Sequence, residues 1–192
     1  MIWWPSQTPT LADGLITLRL LAERDIPDIY SGCQDPLIPK FTRVPPDYTM
    51  AHAEFFVREK TPTSFAQKSE LAFAIDYGNG ADIDFAGVIS FHTINLTDHL
   101  AELGYWISAG ARGKGVATRA ARILTNYGFE TMGFERIEAR VDVENLASRK
   151  LLLSLGYTLE AILRKVSCRQ GGRQIDMALY SMIRDEWKEM LN

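Results

Sequence analysis

The sequence predicts a mixed α/β fold, a central sheet flanked by helices, and three observations predict it. Segments of period-two alternation and segments of helical spacing succeed one another along the chain. Their alternation is uneven, with hairpins in the middle and at the end, which suits a mixed sheet better than a fully parallel one. The stretch "ISAGARGKGVATRAA", Ile107 to Ala121, joins a strand to a helix through three glycines and two basic residues. Glycine loses more backbone entropy on folding than any other residue, so such a cluster implies positive φ or the close approach of another group.

The elements follow in order. "LITLRLL" (Leu15–Leu21) alternates as a first strand, and helical spacing covers Glu23–Gly32. A proline-rich loop, "DPLIPKFTRVPPDY", leads to a helix over Thr49–Lys60. "ELAFAID" (Glu70–Asp76) and "IDFAGVISFH" (Ile83–His92) are strands around the turn "YGNG". "AELGYWIS" is a further strand. Val116–Thr131 is helical, with Ala117, Ala120, Leu124 and Tyr127 on one stripe. In "RIEARVDV", Ile137, Ala139, Val141 and Val143 face one way and Glu138, Arg140 and Asp142 the other. A helix over Asn145–Leu155 stops at Gly156, a natural C-terminal cap. Two last strands flank the turn "RQGGRQ", and a short helix ends the chain.

The chain has 192 residues, of which 46% are hydrophobic and 23% charged, as expected of one globular domain spanning 1–192. A net charge of −3 provides no basic field for nucleic acid. No apolar run reaches the roughly 18 residues of a membrane span, and "MIWWPSQTPT" lacks the basic and apolar regions of a secretory signal. Cys33 and Cys168 form neither a metal spacing nor a disulfide framework. A reducing cytoplasm is the expected compartment.

A strand, glycine loop and helix in succession make an anion site, because successive N–H groups form a nest and the helix dipole adds positive potential. Two familiar phosphate loops do not fit. A Walker loop needs Ser or Thr after the lysine, and Lys114 is followed by Gly115. The dinucleotide fingerprint counted from Gly113 needs Gly or Ala at its sixth position, where Thr118 stands. A tight turn without a ligand is the alternative.

What remains is Arg112-x-x-Gly115-x-Ala117. This resembles the Arg/Gln-x-x-Gly-x-Gly/Ala signature of the GNAT acetyltransferases, whose loop holds the pyrophosphate of acetyl-coenzyme A. "AELGYWIS", "RIEARVDVENLASRKLLLSLGYTLEAILR" and "ALYSMIRDEW" resemble the branch that acetylates ribosomal-protein N-termini. The resemblance runs from about Leu15 to Trp187 and is weakest between Asp35 and Ser69. It implies a mixed sheet of about seven strands flanked by helices, splayed between the fourth and fifth, with the cofactor in the splay. It also implies acetyl transfer to a primary amine in a ternary complex, with homodimers common among relatives.

The resemblance further implies the site. Arg112, Gly113, Lys114, Gly115, Val116 and Ala117 hold the pyrophosphate, and backbone amides over Trp106, Ile107 and Ser108 hold the acetyl carbonyl. Fixed amides suit a developing oxyanion because they need not reorganise; the side chains of Trp106 and Ile107 are core residues. Glu102 is the candidate base, or else a solvated strand residue or ion-pair partner. Relatives that place an acidic base further on have its counterpart near Ser167, which has no carboxylate. Asn145 lies beside the pantetheine arm and is independently an obvious helix N-cap. Ser148 is the proton donor to the leaving sulfur, or a plain first-turn residue; the tyrosine many relatives use falls at Leu152.

Other conspicuous residues have simpler readings. Cys33 and Cys168 have no histidine near them in sequence to activate a thiolate. His52, His92 and His99 show no metal spacing, and no metal is expected. Arg119 and Arg122 belong to the polar face of the loop's helix. The acceptor wall falls roughly over Phe41–Phe65, where Phe41 and Tyr48 offer apolar contact and Arg43 a partner for a carboxylate or phosphate. That segment does not distinguish a protein N-terminus from a small-molecule amine (antibiotic, polyamine or amino acid), and a non-catalytic CoA-binding sensor is a further alternative.

Overall fold

Eight strands form one sheet in the order β1-β2-β3-β4-β5-β6-β8-β7. The computed structural model describes residues 2–79, 82–169 and 172–191. The strands are β1 (Leu11–Ala12), β2 (Ile16–Arg19), β3 (Leu71–Asn79), β4 (Asp82–Asn95), β5 (Leu100–Ile107), β6 (Arg136–Asp142), β7 (Thr158–Cys168) and β8 (Gln174–Ile183). The helices are α1 (Ile26–Gly32), α2 (Leu37–Phe41), α3 (Met50–Phe55), α4 (Thr61–Ala66), α5 (Val116–Tyr127), α6 (Leu146–Ser154) and α7 (Arg184–Leu191).

Neighbouring strands are antiparallel except β5 and β6, which α5 connects in parallel. The expected sheet of about seven strands is present with eight, the additional one being β1, which pairs Leu11 and Ala12 with Leu18 and Thr17. Two residues carry no alternation, so spacing does not reveal such a strand. With β1 set aside, the splay falls between the fourth and fifth strands, as expected. The hairpin turn at Gly80 and the one at Gln170–Gly171 lie outside the described residues.

The two faces of the sheet bury different things. Along β3, Leu71, Phe73 and Ile75 enter the larger core beneath α5, while Ala72 and Ala74 make room for α1 and α3 on the other face. β4 is buried at every residue from Ala86 to Phe91, as a central strand covered on both faces should be. The expected α5 stripe enters the large core: Ala120, Leu124 and Tyr127 are buried and Ala117 packs against them. Trp187 of α7 closes that core by stacking on Phe129 at 5.4 Å and donating its indole N–H to Asn126.

Two local departures from the expected elements have physical causes. The expected loop after Asp35 contains the short helix α2. The helix expected to end at Lys60 runs on into α4 through a wide turn over Phe56–Lys60, where Thr61 N–H reaches back five residues to Phe56. Pro62 has no N–H and its ring would crowd the carbonyl four residues before it, which a π turn relieves. Asp142, on the face of β6 opposite Ile137 and Ala139, is nonetheless buried and takes hydrogen bonds from Arg169 (2.9 Å) and the Glu144 amide (2.9 Å). A buried charge is tolerable when it is paired in this way.

Gly87 lies where β4 passes the end of β5. It adopts φ +149°, and a Cβ there would be 2.2 Å from the Trp106 carbonyl oxygen, a backbone atom that cannot move aside. Gly87→Ala should therefore cost about 2 kcal/mol or more, read as a fall in melting temperature of about 4–8 °C. A melting curve superposing on the wild type would show that the strand crossing is looser than the geometry requires.

Candidate active site

The site is built on a gap in the ladder. β5 and β6 pair only through Leu100–Arg136, Ala101–Ile137 and Glu102–Glu138, and then diverge, although both strands continue. On its other side β5 stays paired with β4 up to Ile107, and Ser108 N–H donates to Ala86 O at 2.9 Å. Antiparallel ladders alternate, so Trp106 also directs its backbone groups at β4 while those of Ile107 point into the gap. The Ile107 carbonyl accordingly accepts from Arg112 Nε at 3.1 Å. Of the three amides expected to meet an acyl carbonyl, that of Ser108 is committed to Ala86 and that of Trp106 faces the ladder; Ile107 N–H is the free one. The Trp106 ring packs over Gly32, where a Cβ would come within 2.7 Å, and beside Phe85.

Beyond Ser108 the chain makes a 3-10 turn over Ala109–Ala111 and then the glycine loop. Gly113 and Gly115 have φ of +75° and +76°, with open space where a Cβ would stand. Arg119 N–H to Gly115 O is the first bond of α5, so the N–H groups of residues 113 to 118 have no acceptor among the described residues. Val116 is buried and Ala117 packs on the core, so the nest rests on a firm base. Lys114 is exposed, its ammonium 5.8 Å from the Tyr77 ring. Arg112 faces inward: besides Ile107 it holds Asp35 Oδ2 at 2.6 Å. Arg119 is engaged with Asp13 at 2.7 Å.

Across the gap, Asn145 caps α6, its side chain accepting from Ser148 N–H at 3.2 Å. Tyr105 reaches toward the same wall from β5, and its hydroxyl is buried without a hydrogen-bond partner among the described residues. Burial pushes that phenol up to about 12, and the nearby Ser148 hydroxyl pulls the other way. No hydrogen bond of regular geometry joins the two hydroxyls, which leaves the Tyr105 O–H free to donate. Sequence reading passed over Tyr105. Its one signal is its place two residues before Ile107, on the strand that loses its partner. Leu152, at the position where relatives carry tyrosine, is fully buried in the core.

The other end of the cleft, where the sequence predicts the acceptor, gathers at the first half of β5. Glu102 is only 8% exposed and lies 3.9 Å from Arg140 Nε. His92 of β4 stands directly opposite it in the register. Burial lowers the His92 pKa below its usual value; Glu102 and Glu70 oppose that effect, while Arg43 and Lys60 reinforce it. Phe41, Arg43, Tyr48 and Phe56 line the facing wall. Arg169 ties that wall to β6 by bonding the Thr42 carbonyl (3.1 Å) and Asp142. A continuous cleft of about 1310 Å³ joins the glycine loop, Ser148 and this acceptor end. Cys33 borders the cleft, but burial pushes its thiol up to about 12, the opposite of an activated nucleophile. His52 is spent on capping α3, where its Nδ1 accepts from Thr49 N–H.

Residues 16–158 match the model of the acetyltransferase (GNAT) domain. The chain belongs to the GNAT acetyltransferase family. It is 29% identical over 178 residues to the N-acetyltransferase p20 of Bacillus licheniformis, covering 93% of this chain and 98% of that one. It is 28% identical over 102 residues to the ribosomal-protein-serine acetyltransferase of Escherichia coli, covering 53% of this chain and 56% of that one. The crystal structure of the microcin C7 self-immunity acetyltransferase MccE with acetyl-CoA and AMP superposes with a TM-score of 0.79 at 26% identity, over 89% of this chain and 93% of that one. As a GNAT enzyme the protein is an acetyl-CoA-dependent N-acetyltransferase. The residues present fit that cosubstrate: the loop over residues 113–118, whose N–H groups have no acceptor among the described residues, borders with its two open glycine positions a cleft of about 1310 Å³.

Gly115→Val should raise the dissociation constant for acetyl-CoA at least about tenfold, because a branched side chain both resists φ +76° and fills the space before the amides. Calorimetric titration of the folded variant checks this. Wild-type affinity would remove the loop from the binding site.

Proposed function

We propose that the protein acetylates the α-amine of a peptide N-terminus, by direct attack of the amine on acetyl-CoA without a covalent enzyme intermediate. One observation carries the choice of acceptor. The chain has a net charge of −3, yet its cleft is lined by six cations (Arg43, Lys60, Arg112, Arg140, Lys150 and Arg169) against the lining carboxylates Glu70 and Glu102 and the two, Asp35 and Asp142, that pair with Arg112 and Arg169, which leaves a positive excess carried by Arg43 and Lys150. A low-dielectric cleft concentrates such a field, which attracts anions and repels polycations. The polyanionic cosubstrate accounts for part of the excess. Arg43, exposed at the acceptor end, suits a peptide carboxylate. MccE, a related protein, was solved in complex with an anion, AMP, as well as acetyl-CoA.

The α-amine also suits the chemistry. Its ordinary pKa near 8 asks far less of a base at neutral pH than a lysine-type amine near 10.4. Bound acetyl-CoA supplies the activated thioester. In this reading the amides of residues 113 to 118 and the α5 dipole hold its pyrophosphate, and Ile107 N–H accommodates charge on the acyl oxygen. Ser148, with the free Tyr105 hydroxyl beside it, stands ready to hydrogen-bond the departing sulfur. Glu102 marks the end where the amine proton leaves. Neither cysteine is bridged, in keeping with a cytoplasmic setting.

An amine panel read by thiol release tests the acceptor. Peptides beginning Ala, Ser or Met with an acidic second residue should exceed spermidine by at least about tenfold in kcat/KM, the ratio that about 1.4 kcal/mol of differential charge interaction produces. A preference for spermidine would overturn the peptide reading. Ser148→Ala should lower kcat with little recovery at high pH, because deprotonation does not replace a donor at sulfur. Full recovery at high pH would remove Ser148 from that role.

A further inference from the structure

At the acceptor end of the cleft, β4 adopts a costly conformation. Thr93 has φ +51°, in the left-handed region that β-branched residues seldom enter. The register between β4 and β5 breaks at the same point, between His92 and Asn95. Irregularities of this kind beside a site re-aim a side chain, and here that side chain is His92. Three features hold its ring. Nδ1 lies 2.9 Å from Thr93 Oγ1. Gly104 lies beneath it, where a Cβ would come within 2.7 Å of Nε2. Glu102 is its direct cross-strand neighbour, which brings the two Cβ atoms within about 5 Å. Nε2 has no hydrogen-bond partner among the described residues, and His92 lines the cleft.

We propose that His92 Nε2 takes the proton of the attacking amine, with Glu102 holding the imidazolium so formed and Thr93 fixing the ring as a positioning residue. The proposal rests on the acetyl-transfer reading but not on which amine is the acceptor. With Nδ1–H donating to Thr93 Oγ1, the Nε2 lone pair faces the cleft. As the N–C bond forms, the N–H proton passes to Nε2 and the C–S bond breaks with its electron pair going to sulfur. Nε2 then releases its proton to solvent. An ordinary imidazole, near 6.5, is closer to the task than an ordinary carboxylate near 4. Glu102 thereby becomes the partner of the base rather than the base.

Four charged groups face the ring: Glu102 from β5, Glu70 from the start of β3, Arg43 from the acceptor wall and Lys60 from the turn before α4. Burial keeps the imidazole neutral to lower pH than usual, so it is available as a base at pH 7. Activity should decline as pH falls through a value below 6.5. Glu102 raises that value, so removing its charge should move the decline to still lower pH.

The test uses the full chain and whichever amine the wild type acetylates. If that amine is a polyamine, the acceptor reading fails while this test stands. His92→Gln should lower kcat about 10²-fold or more, leave acetyl-CoA affinity within about twofold, and abolish the acidic limb of the pH profile. Glu102→Gln should shift that limb to lower pH with a smaller loss of rate. Thr93→Gly, which accepts positive φ freely but loses the hydroxyl, should lower kcat without lowering the melting temperature. NMR titration of the His92 ring in wild type and Glu102→Gln reads the coupling without turnover. An acidic limb that persists in His92→Gln, a rate within about threefold of wild type, or a ring titration indifferent to Glu102→Gln would overturn the proposal.

Discussion

The three residue pairs that join β5 to β6, and their failure to continue, govern the rest of the molecule. A strand that loses its neighbour must place its N–H and C=O groups somewhere, because buried backbone polar groups do not go unpaired without cost. Here the Ile107 carbonyl is taken by Arg112, and the amide beside it is left free. The same divergence opens the cleft, sets Tyr105 facing Ser148, and brings the glycine loop of the β5–α5 connection to the cleft's edge. Pairing above the gap is correspondingly firm. Glu102 and Glu138 are the last partners before the strands part, so Glu102 sits where β5 still has a neighbour on each side.

Around this gap the chain spends backbone conformations that ordinary residues avoid. Gly113 and Gly115 lie in the left-handed region with space before them, whereas Gly87 is crowded by a carbonyl. Thr93 is a non-glycine residue in that region, and it stands beside His92. Such positions survive only when surrounding structure over-determines them. The surroundings do so here: β4 is buried on both faces from Ala86 to Phe91, and Arg19 clamps β2 to β3 and to the start of α1 by forking onto Asp76 and Asp25.

What could be read in advance was what lies close together along the chain. The loop from Arg112 to Ala117, the α5 stripe and the Asn145 cap each depend on neighbours a few residues away, and local chemistry is enough to find them. What escaped depends on partners far off in sequence. Asp142 reads only as a residue opposite Ile137 and Ala139 until Arg169 arrives from the end of β7. His92 looks like an isolated histidine until the β4–β5 register sets Glu102 opposite it. Arg112 is legible as part of the loop motif, but its ion pair with Asp35, 77 residues away, is not. Tyr105 looks like an ordinary strand aromatic until β6 departs and leaves its hydroxyl unmatched.

The inward turn of Arg112 also bears on how the loop responds to ionic strength. With its guanidinium held by Asp35, the loop carries little free formal charge beyond the exposed Lys114. Its attraction for anions comes instead from oriented N–H dipoles, which act over a few ångströms and inside a partly enclosed cleft. Mobile ions damp interactions between exposed charges about 10 Å or more apart at 0.1 M, and short contacts within a cleft much less. In the proposed reading the grip on pyrophosphate is therefore a short-range one that added salt does little to loosen, while the broader cationic field that draws anions toward the cleft fades. Salt separates the two, slowing arrival more than it hastens departure.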